Sequence, residues 1–168
     1  MKKEIIAIIG LGYWGTIVTN TVVSLGIFRK IYIFDTDKDK VRILKKKFKN
    51  KITYLGFEKI KKNKLIQNIF LATPPRENFR ILNTLIECNK NILIEKPGLT
   101  KLSNYIAIKK KIKKYKNKVT FGYIYIYNQY IRYIKKIITS KKLGSIRYIN
   151  LQRQNFGPIR NKVSAAYD

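Results

Sequence analysis

Histidine is absent from the 168-residue sequence, and cysteine and tryptophan each occur once. Without histidine, the given sequence offers no imidazole that could act as a catalytic base or a metal ligand. The single cysteine, Cys88, cannot form an internal disulfide, which fits a reducing cytoplasm. No apolar run reaches the roughly 18 residues that a membrane-spanning helix needs. We therefore expect a cytoplasmic protein without a membrane segment or a metal site.

Acidic residues are also scarce. Nine Asp and Glu stand against 37 Lys and Arg, which gives a net charge of +28. Such a charge attracts polyanions, so a basic nucleic-acid-binding protein is one alternative. However, the cations are spread along almost the whole chain, and Lys, Ile, Asn and Tyr are all used heavily, as an AT-rich coding sequence would produce. We interpret the charge as a solvated surface and expect no specific nucleic-acid partner.

Short apolar or β-branched runs alternate with longer mixed runs over the first 122 residues. The short runs are typical of strands buried on both faces, and the longer ones have helical length. The predicted strands are Glu4–Ile9, Ile31–Phe34, Lys51–Leu55, Ile66–Leu71, Asn91–Ile94 and Lys118–Gly122, and the predicted helices are Trp14–Leu25, Lys38–Lys49, Glu77–Asn89 and Leu102–Tyr115. This alternation predicts an α/β domain with a six-stranded, doubly wound parallel sheet.

The pattern changes after Gly122. Residues 123–128 are predicted to form a linker, Tyr130–Thr139 a helix and Ser145–Asn155 a strand, and no further strand follows to pair with it. We therefore predict two domains: an α/β domain over residues 1–122 and the first helix and strand of an incomplete α+β domain over residues 123–168.

The stretch IIGLGYWG places glycines in a G-x-G-x-x-G spacing between the first predicted strand and the first helix. Gly10 would allow a tight turn, Gly12 would let a pyrophosphate approach the backbone, and Gly15 would permit close packing of the helix on the strand. The helix start offers N–H groups and a partial positive charge to phosphates. We predict a dinucleotide site that includes Tyr13 and Trp14. The alternative is that the glycines only form a turn.

Asp35 ends the second predicted strand, in the stretch IYIFDTD. A carboxylate there would accept hydrogen bonds from the adenosine ribose and repel a 2′-phosphate, which favours NAD over NADP. Lys38 and Lys40 follow closely and leave NADP as an alternative. Asp35 or Asp37 could instead cap the next helix.

Two further stretches follow predicted strands on the ligand side of an open α/β sheet. In FLATPPREN, we predict that Thr73 and Pro74 lie against the cofactor, although the stretch is also a helix-start signal. In NILIEKPGLT, Lys96 follows an apolar run and a glutamate and precedes Pro-Gly, an unusual setting for a solvated lysine. The alternative is a surface lysine among many.

The order G-x-G-x-x-G, A-T-P-P and E-K-P resembles the Gfo/Idh/MocA family, the glucose–fructose oxidoreductase and inositol dehydrogenase type of nicotinamide-dependent enzyme. The resemblance covers essentially the whole chain, including NFGPIRNKVSAAYD. The stretches GYWG and LQRQNFGPIR look most like members that act on nucleotide-linked sugars. The resemblance implies a Rossmann fold, NAD as cofactor, a sugar or nucleotide-sugar substrate and a homo-oligomer.

The resemblance also implies roles for single residues. Lys96 matches the active-site lysine, which hydrogen-bonds the substrate hydroxyl and assists proton transfer. Glu95 and Pro97 would line the nicotinamide pocket, and a cis bond before Pro97 is left open. Asp168 matches an aspartate of the proton relay. A histidine that follows that aspartate in the family has no counterpart in this sequence, and where the family often has histidine after the T-P motif this chain has Asn78.

We therefore expect the N-terminal portion of an NAD-dependent oxidoreductase that acts on a ring hydroxyl and is inactive or impaired as this chain alone. The alternatives are a non-catalytic dinucleotide-binding module and one half of a two-chain enzyme. The unfinished second domain predicts self-association, through an unpaired edge at Ser145–Asn155 and through uncovered residues Tyr125, Tyr127, Tyr130 and Ile131.

Overall fold

The computed structural model describes residues 4–152 and 154. The chain divides into two compact units, Met1–Gly122 and Tyr123–Asp168. Within the described residues, no helix has the length and apolar character needed to cross a bilayer.

The first unit contains a six-stranded parallel sheet in the order β3-β2-β1-β4-β5-β6. The chain order reverses between β1 and β4, as in doubly wound dinucleotide-binding folds, so the predicted fold class is confirmed. The strands are β1 (Ile5–Ile9), β2 (Lys30–Phe34), β3 (Ile52–Tyr54), β4 (Asn68–Leu71), β5 (Asn91–Ile94) and β6 (Val119–Phe121). The helices of this unit are α1 (Tyr13–Leu25), α2 (Lys38–Phe48), α3 (Phe57–Lys62), α4 (Pro75–Glu87) and α5 (Leu102–Tyr115), and a 3-10 turn covers Lys49–Lys51.

Strand β1 lies at the centre of the core and separates two apolar layers. Because successive side chains of a strand point to opposite faces, Ile5, Ala7 and Ile9 pack in one layer, together with residues from α4 and α5. Ile6 and Ile8 pack in the other layer, together with residues from α1 and α2. The sheet is therefore covered on both faces, which leaves its ends as the places where a ligand can approach.

The prediction that the first five strands are buried on both faces is confirmed for β1, which is buried throughout, and wrong for β5, in which Leu93 is 42% exposed. Strand β6 is an edge of the sheet and has a neighbour on one side alone. Helix α3 was not predicted, because this six-residue, lysine-rich segment buries only Ile60 and carries no long apolar period.

In the second unit, a 3-10 turn covers Ile124–Tyr127, where a linker was predicted, and α6 covers Gln129–Thr139. The predicted strand at Ser145–Asn155 is wrong for its described residues, 145–152 and 154, which form no strand. The physical reason is the lack of a partner among the described residues, since a strand needs a neighbour to bond its N–H and C=O groups. All of these described residues are exposed.

Candidate functional site

The predicted site residues of the first unit lie at the carboxyl ends of the parallel strands. Backbone bonds hold these ends side by side: Ala72 N donates to Ile9 O at 2.8 Å, and Glu95 N donates to Leu71 O at 2.9 Å. The loops after β1, β4 and β5 therefore lie along one edge of the sheet, where the strand order reverses. Ligands of open α/β sheets bind at this place.

The three glycines of the loop after β1 differ in what they do. Gly10 has a φ of +90°, and a Cβ there would lie 2.6 Å from Ala72 O. A Cβ on Gly15 would overlap the carbonyl oxygen of Gly10. Folding alone therefore requires these two glycines. Gly12 is different, because its φ is −67° and a Cβ would meet no atom within 4 Å. The open space above Gly12 fits a pyrophosphate lying on the loop.

Helix α1 begins directly after Gly12, and no side chain caps its first N–H groups. Its first turn also contains no acidic residue. The first N–H groups of α1 are therefore not capped by a protein side chain, and they can bind an anion at the positive end of the helix dipole. Tyr13 is 74% exposed and Trp14 is 40% exposed, and their rings meet edge to face with centroids 5.6 Å apart.

The Asp35 carboxylate lies beside the glycine loop. Its Oδ2 accepts a hydrogen bond from Leu11 N at 2.6 Å, and its Oδ1 accepts one from Asp37 N at 2.8 Å. Asp35 thus ties the end of β2 to the loop after β1. A carboxylate offers about four lone-pair sites. Two of them remain for ribose hydroxyls, so the geometry fits a dinucleotide.

Asp37, not Asp35, caps the next helix. The Asp37 side chain accepts from Asp39 N and Lys40 N at the start of α2. These hydrogen bonds, first that of the Lys40 backbone, hold the pKa of the Asp37 carboxyl below its usual range. Lys40 Nζ lies 3.3 Å from Asp37 Oδ2, and Lys38 Nζ donates to the hydroxyl of Tyr54 at 2.7 Å. Both lysines that could serve a 2′-phosphate therefore have partners within the chain.

An apolar cleft of about 550 Å³ opens at the carboxyl ends of β2 and β3, beginning at Phe34, directly before Asp35. The Phe34 ring stacks on Tyr54 and tilts against Phe57, with centroids 6.4 and 5.9 Å away. Lys38 Nζ lies 4.6 Å from the centre of the Tyr54 ring. The cleft has the size of a small-molecule pocket and an aromatic wall suited to a planar ring.

Lys96 lies in the turn after β5. The Lys96–Pro97 peptide bond is cis, a conformation that the sequence alone could not decide. Gly98 follows with a φ of +77°, and the ring of Phe121 packs so closely against it that a Cβ would not fit. The hydroxyl of Tyr105 donates to Pro97 O at 3.2 Å. The turn that carries the partly buried Lys96 is thus held by groups from α5 and β6.

Glu95 precedes Lys96 and is half-buried. Burial raises the pKa of the Glu95 carboxyl, while the Lys96 backbone N–H and the Lys96 charge oppose that rise. A Cβ on Gly122 would lie 3.4 Å from Glu95 Oε2, so the carboxyl contacts the end of β6.

Asn78 was noted in the sequence only as a departure from the family pattern. In the structure its side chain joins the two loops at the ends of β4 and β5. The Thr73 hydroxyl donates to Asn78 Oδ1 at 2.6 Å, and Asn78 Nδ2 donates to Gly98 O at 2.7 Å. The position of Asn78 one turn into an amphipathic helix is the signal that it faces the sheet, but its two partners cannot be predicted from sequence.

The predicted catalytic residue Asp168 lies outside the described residues, as does the sequence NFGPIRNKVSAAYD that contributed to the resemblance. Among residues 4–152 and 154, no group of three or more acidic or cysteine side chains could hold a metal ion.

The glycine loop, the uncapped helix start and the carboxylate after β2 together define a dinucleotide-binding domain of the Rossmann type. Residues 5–123 match the family model GFO_IDH_MocA, described as an oxidoreductase family with an NAD-binding Rossmann fold. The chain belongs to this family, which confirms the resemblance seen in the motifs. No protein of curated function matches the chain.

Several solved structures share the fold. The scyllo-inositol dehydrogenase from Lactobacillus casei, with bound NAD(H) and scyllo-inositol, has a TM-score of 0.74 and 18% identity over 85% of this chain. The myo-inositol 2-dehydrogenase from Lactobacillus plantarum has 0.74 and 23% over 86%. An NAD-binding protein from Listeria innocua has 0.67 and 20% over 85%. The chain covers 43%, 43% and 42% of those chains, so it spans less than half of their length.

Proposed function

We propose that this chain is the cofactor-binding portion of an NAD-dependent dehydrogenase that oxidises a ring hydroxyl. The observation that carries the proposal is the open space above Gly12 at an uncapped helix start, beside the Asp35 carboxylate. The fold does not require the open space above Gly12, and this space beside a carboxylate suits a pyrophosphate joined to a ribose.

The proposed binding mode follows the carboxyl edge of the sheet. The pyrophosphate lies on Gly12 and the N–H groups of Tyr13 and Trp14, and the ribose hydroxyls donate to Asp35. The adenine lies against the aromatic wall of the cleft that begins at Phe34. The nicotinamide end extends past Thr73 and Pro74 toward the turn formed by Glu95, Lys96 and Pro97.

In the proposed reaction, Lys96 Nζ hydrogen-bonds the substrate hydroxyl and assists the transfer of its proton to a proton relay as the carbonyl forms. The nicotinamide ring, when bound, supplies the acceptor for the hydride that leaves the same carbon. Half-buried Glu95 precedes this lysine and keeps a polar group beside it in a partly desolvated turn. We assign Asp168 to the same proton relay.

The substrate we propose is a sugar, a cyclitol or a nucleotide-linked sugar. The supports are the motifs GYWG and LQRQNFGPIR and the two inositol dehydrogenases that share the fold. We expect the 168-residue chain alone to turn over little or nothing, because the second proton-transfer group of the family pattern is a histidine and this sequence has none.

The first test is a titration of the chain with NADH and NADPH, read by energy transfer from its single tryptophan, Trp14. We expect saturable NADH binding that persists at high salt, and NADPH binding about tenfold weaker, which corresponds to about 1.4 kcal/mol. Binding that disappears with salt would indicate a polyanion-binding surface instead, since counterion release dominates such contacts.

The variant Gly12→Ala separates ligand binding from folding. Its φ of −67° is accessible to alanine and its Cβ meets no protein atom, so stability should be unchanged or raised by up to about 1 kcal/mol. NADH affinity should fall at least about tenfold, because the methyl occupies the pyrophosphate position. Unchanged NADH affinity in this variant would remove the main support for the proposal.

We also propose that the chain self-associates through exposed apolar side chains of the second unit. The exposed residues there include Tyr125, Tyr127, Tyr130 and Ile131. Exposed apolar side chains in this number favour association. Sedimentation should show a mass that rises with concentration, and a clean monomer over a wide range would contradict the proposal.

A further inference from the structure

A buried amide connects the two loops that the proposed function assigns to the cofactor and to the reacting group. Asn78 is 2% exposed, although it belongs to a helix that begins only three residues earlier, at Pro75. Its Oδ1 accepts from the Thr73 hydroxyl of the loop after β4, and its Nδ2 donates to the Gly98 carbonyl in the turn after β5. Few single side chains could reach both loops.

We propose that Asn78 is a positioning residue that fixes the turn carrying Lys96 relative to the cofactor-facing loop at Thr73. The inference rests on the proposed function for the role of Lys96. We call the two hydrogen bonds of Asn78 the relay. Through this relay, a shift of the loop at Thr73 on dinucleotide binding changes the position of the Gly98 carbonyl, and hence of Lys96, two residues before it.

The chemistry of the two partners determines the direction of each bond. The Gly98 carbonyl can only accept, so the amide nitrogen of Asn78 must face it. The amide oxygen then faces Thr73 and requires a donor, which the hydroxyl provides. Both bonds are buried or partly buried. Loss of either one leaves a polar group without a partner in a place that water reaches poorly, which is the costly case for a hydrogen bond.

Other groups support the turn from different sides. Tyr105 donates to Pro97 O, and the Phe121 ring packs on Gly98 while stacking on Tyr105 with centroids 5.2 Å apart. These contacts position the turn against α5 and β6. The Asn78 side chain differs because its hydrogen bonds also reach the loop after β4. Removing Asn78 should therefore loosen the turn in one direction and leave its packing on Phe121 in place.

The Leu99 amide reports on the turn, because it donates to Pro97 O at 3.1 Å. In cofactor-free protein, Asn78→Ala should speed hydrogen exchange at Leu99 about tenfold, and Thr73→Val should speed it about threefold. Asn78→Asp keeps the acceptor for Thr73 but loses the donor for Gly98, so it should resemble Asn78→Ala. In the double variant Thr73→Val with Asn78→Ala, the two effects should not add, because both act through one connection.

Asn83→Ala is the matched control. Asn83 lies on the same helix and accepts from Lys111 Nζ at 2.6 Å, which joins α4 to α5 without reaching either loop. This variant should leave exchange at Leu99 within about twofold of the wild type. NADH should slow Leu99 exchange in the wild type and in Asn83→Ala, and have little effect on it in Asn78→Ala and Thr73→Val.

The outcomes separate the relay from the proposed function. Unchanged Leu99 exchange in Thr73→Val and Asn78→Asp, or an equal change in Asn83→Ala, would overturn the relay. If the wild type fails to bind NADH, the proposed function fails, while exchange in the cofactor-free variants still decides whether Asn78 couples the loops. If Asn78→Ala does not fold, Thr73→Val and Asn78→Asp decide it.

Discussion

Strand β5 has a lysine just before it and another just after it, and the two are used in opposite ways. Lys90, at the amino end, is 2% exposed, and its ammonium group donates to Asn63 O and Ile66 O, both at 2.7 Å. Lys96, at the carboxyl end, lies partly exposed in a supported turn. Lys90 is thus enclosed by protein contacts, whereas Lys96 lies at the end of the sheet where we propose that the cofactor and substrate bind. Lysines a few residues apart therefore differ in environment, because they lie at opposite ends of a parallel strand.

The largest contrast should appear in chemical reactivity. We expect acylation of Lys90 in the native chain to be at least about a thousandfold slower than that of Lys96, because Lys90 reacts only when the structure opens. Peptide mass spectrometry after brief labelling measures both sites in one sample. In denaturant the two rates should become similar. Rapid native labelling of Lys90 would show that the amino end is not closed.

The next contrast concerns stability. Lys90→Met keeps the aliphatic stem but removes the donors to two carbonyls, so we expect it to lower the free energy of unfolding by about 2 kcal/mol. Lys96→Met removes the same charge and should change it by less than about 0.5 kcal/mol. Denaturant unfolding of both variants measures the difference. If Lys90→Met is instead more stable than the wild type, the free-energy cost of desolvating the ammonium group exceeds the stabilisation from its two hydrogen bonds.

Motifs and periodicity predict one of these lysines and not the other. The position of Lys96 after a strand is predictable because E-K-P follows an apolar run, and the six strands, the sheet and the glycine loop follow from local patterns. Lys90 stands in an ordinary N-K-N stretch, and its burial depends on carbonyls of a distant loop after α3. The hydrogen bonds of Asn78 and the hydrogen bond from Leu11 N to Asp35 are missed for the same reason. Contacts between loops arise only when the sheet brings strand ends together.

A pH series sharpens the comparison further. Burial lowers the pKa of Lys90, so the folded chain releases this proton at a lower pH than the unfolded chain, whose lysines titrate near about 10.4. In that window the unfolded state binds more protons, so the free energy of unfolding rises with pH. We expect Lys90→Met to lack this rise as pH increases toward about 10.4, while Lys96→Met, which has the same net charge, retains it. If the free energy of unfolding rises equally with pH in both variants, the rise does not come from Lys90.

The smallest effect should come from Glu95, beside Lys96. Because burial raises the pKa of Glu95, the folded state favours the protonated carboxyl. The stabilisation that results is fully present below about pH 4.3 and is lost as pH rises through the pKa of the folded state. Glu95→Gln should therefore be more stable than the wild type at pH 7, by less than about 1 kcal/mol, and about equally stable at pH 4. Denaturant unfolding at both pH values measures this, and a difference that grows on acidification would have the wrong sign.

Helix α6 has eleven residues and none of them is buried, whereas each of the other long helices in the described residues has buried side chains. Forming the first turn of a helix is unfavourable, and isolated helices shorter than about 12–15 residues are marginal in water. The helix content of residues 129–139 should thus depend on what covers Ile131 and Ile134. On warming, this segment should lose its helical structure gradually, at temperatures below the cooperative unfolding transition of the sheet. Circular dichroism at 222 nm should accordingly show a sloping baseline that flattens as protein concentration increases.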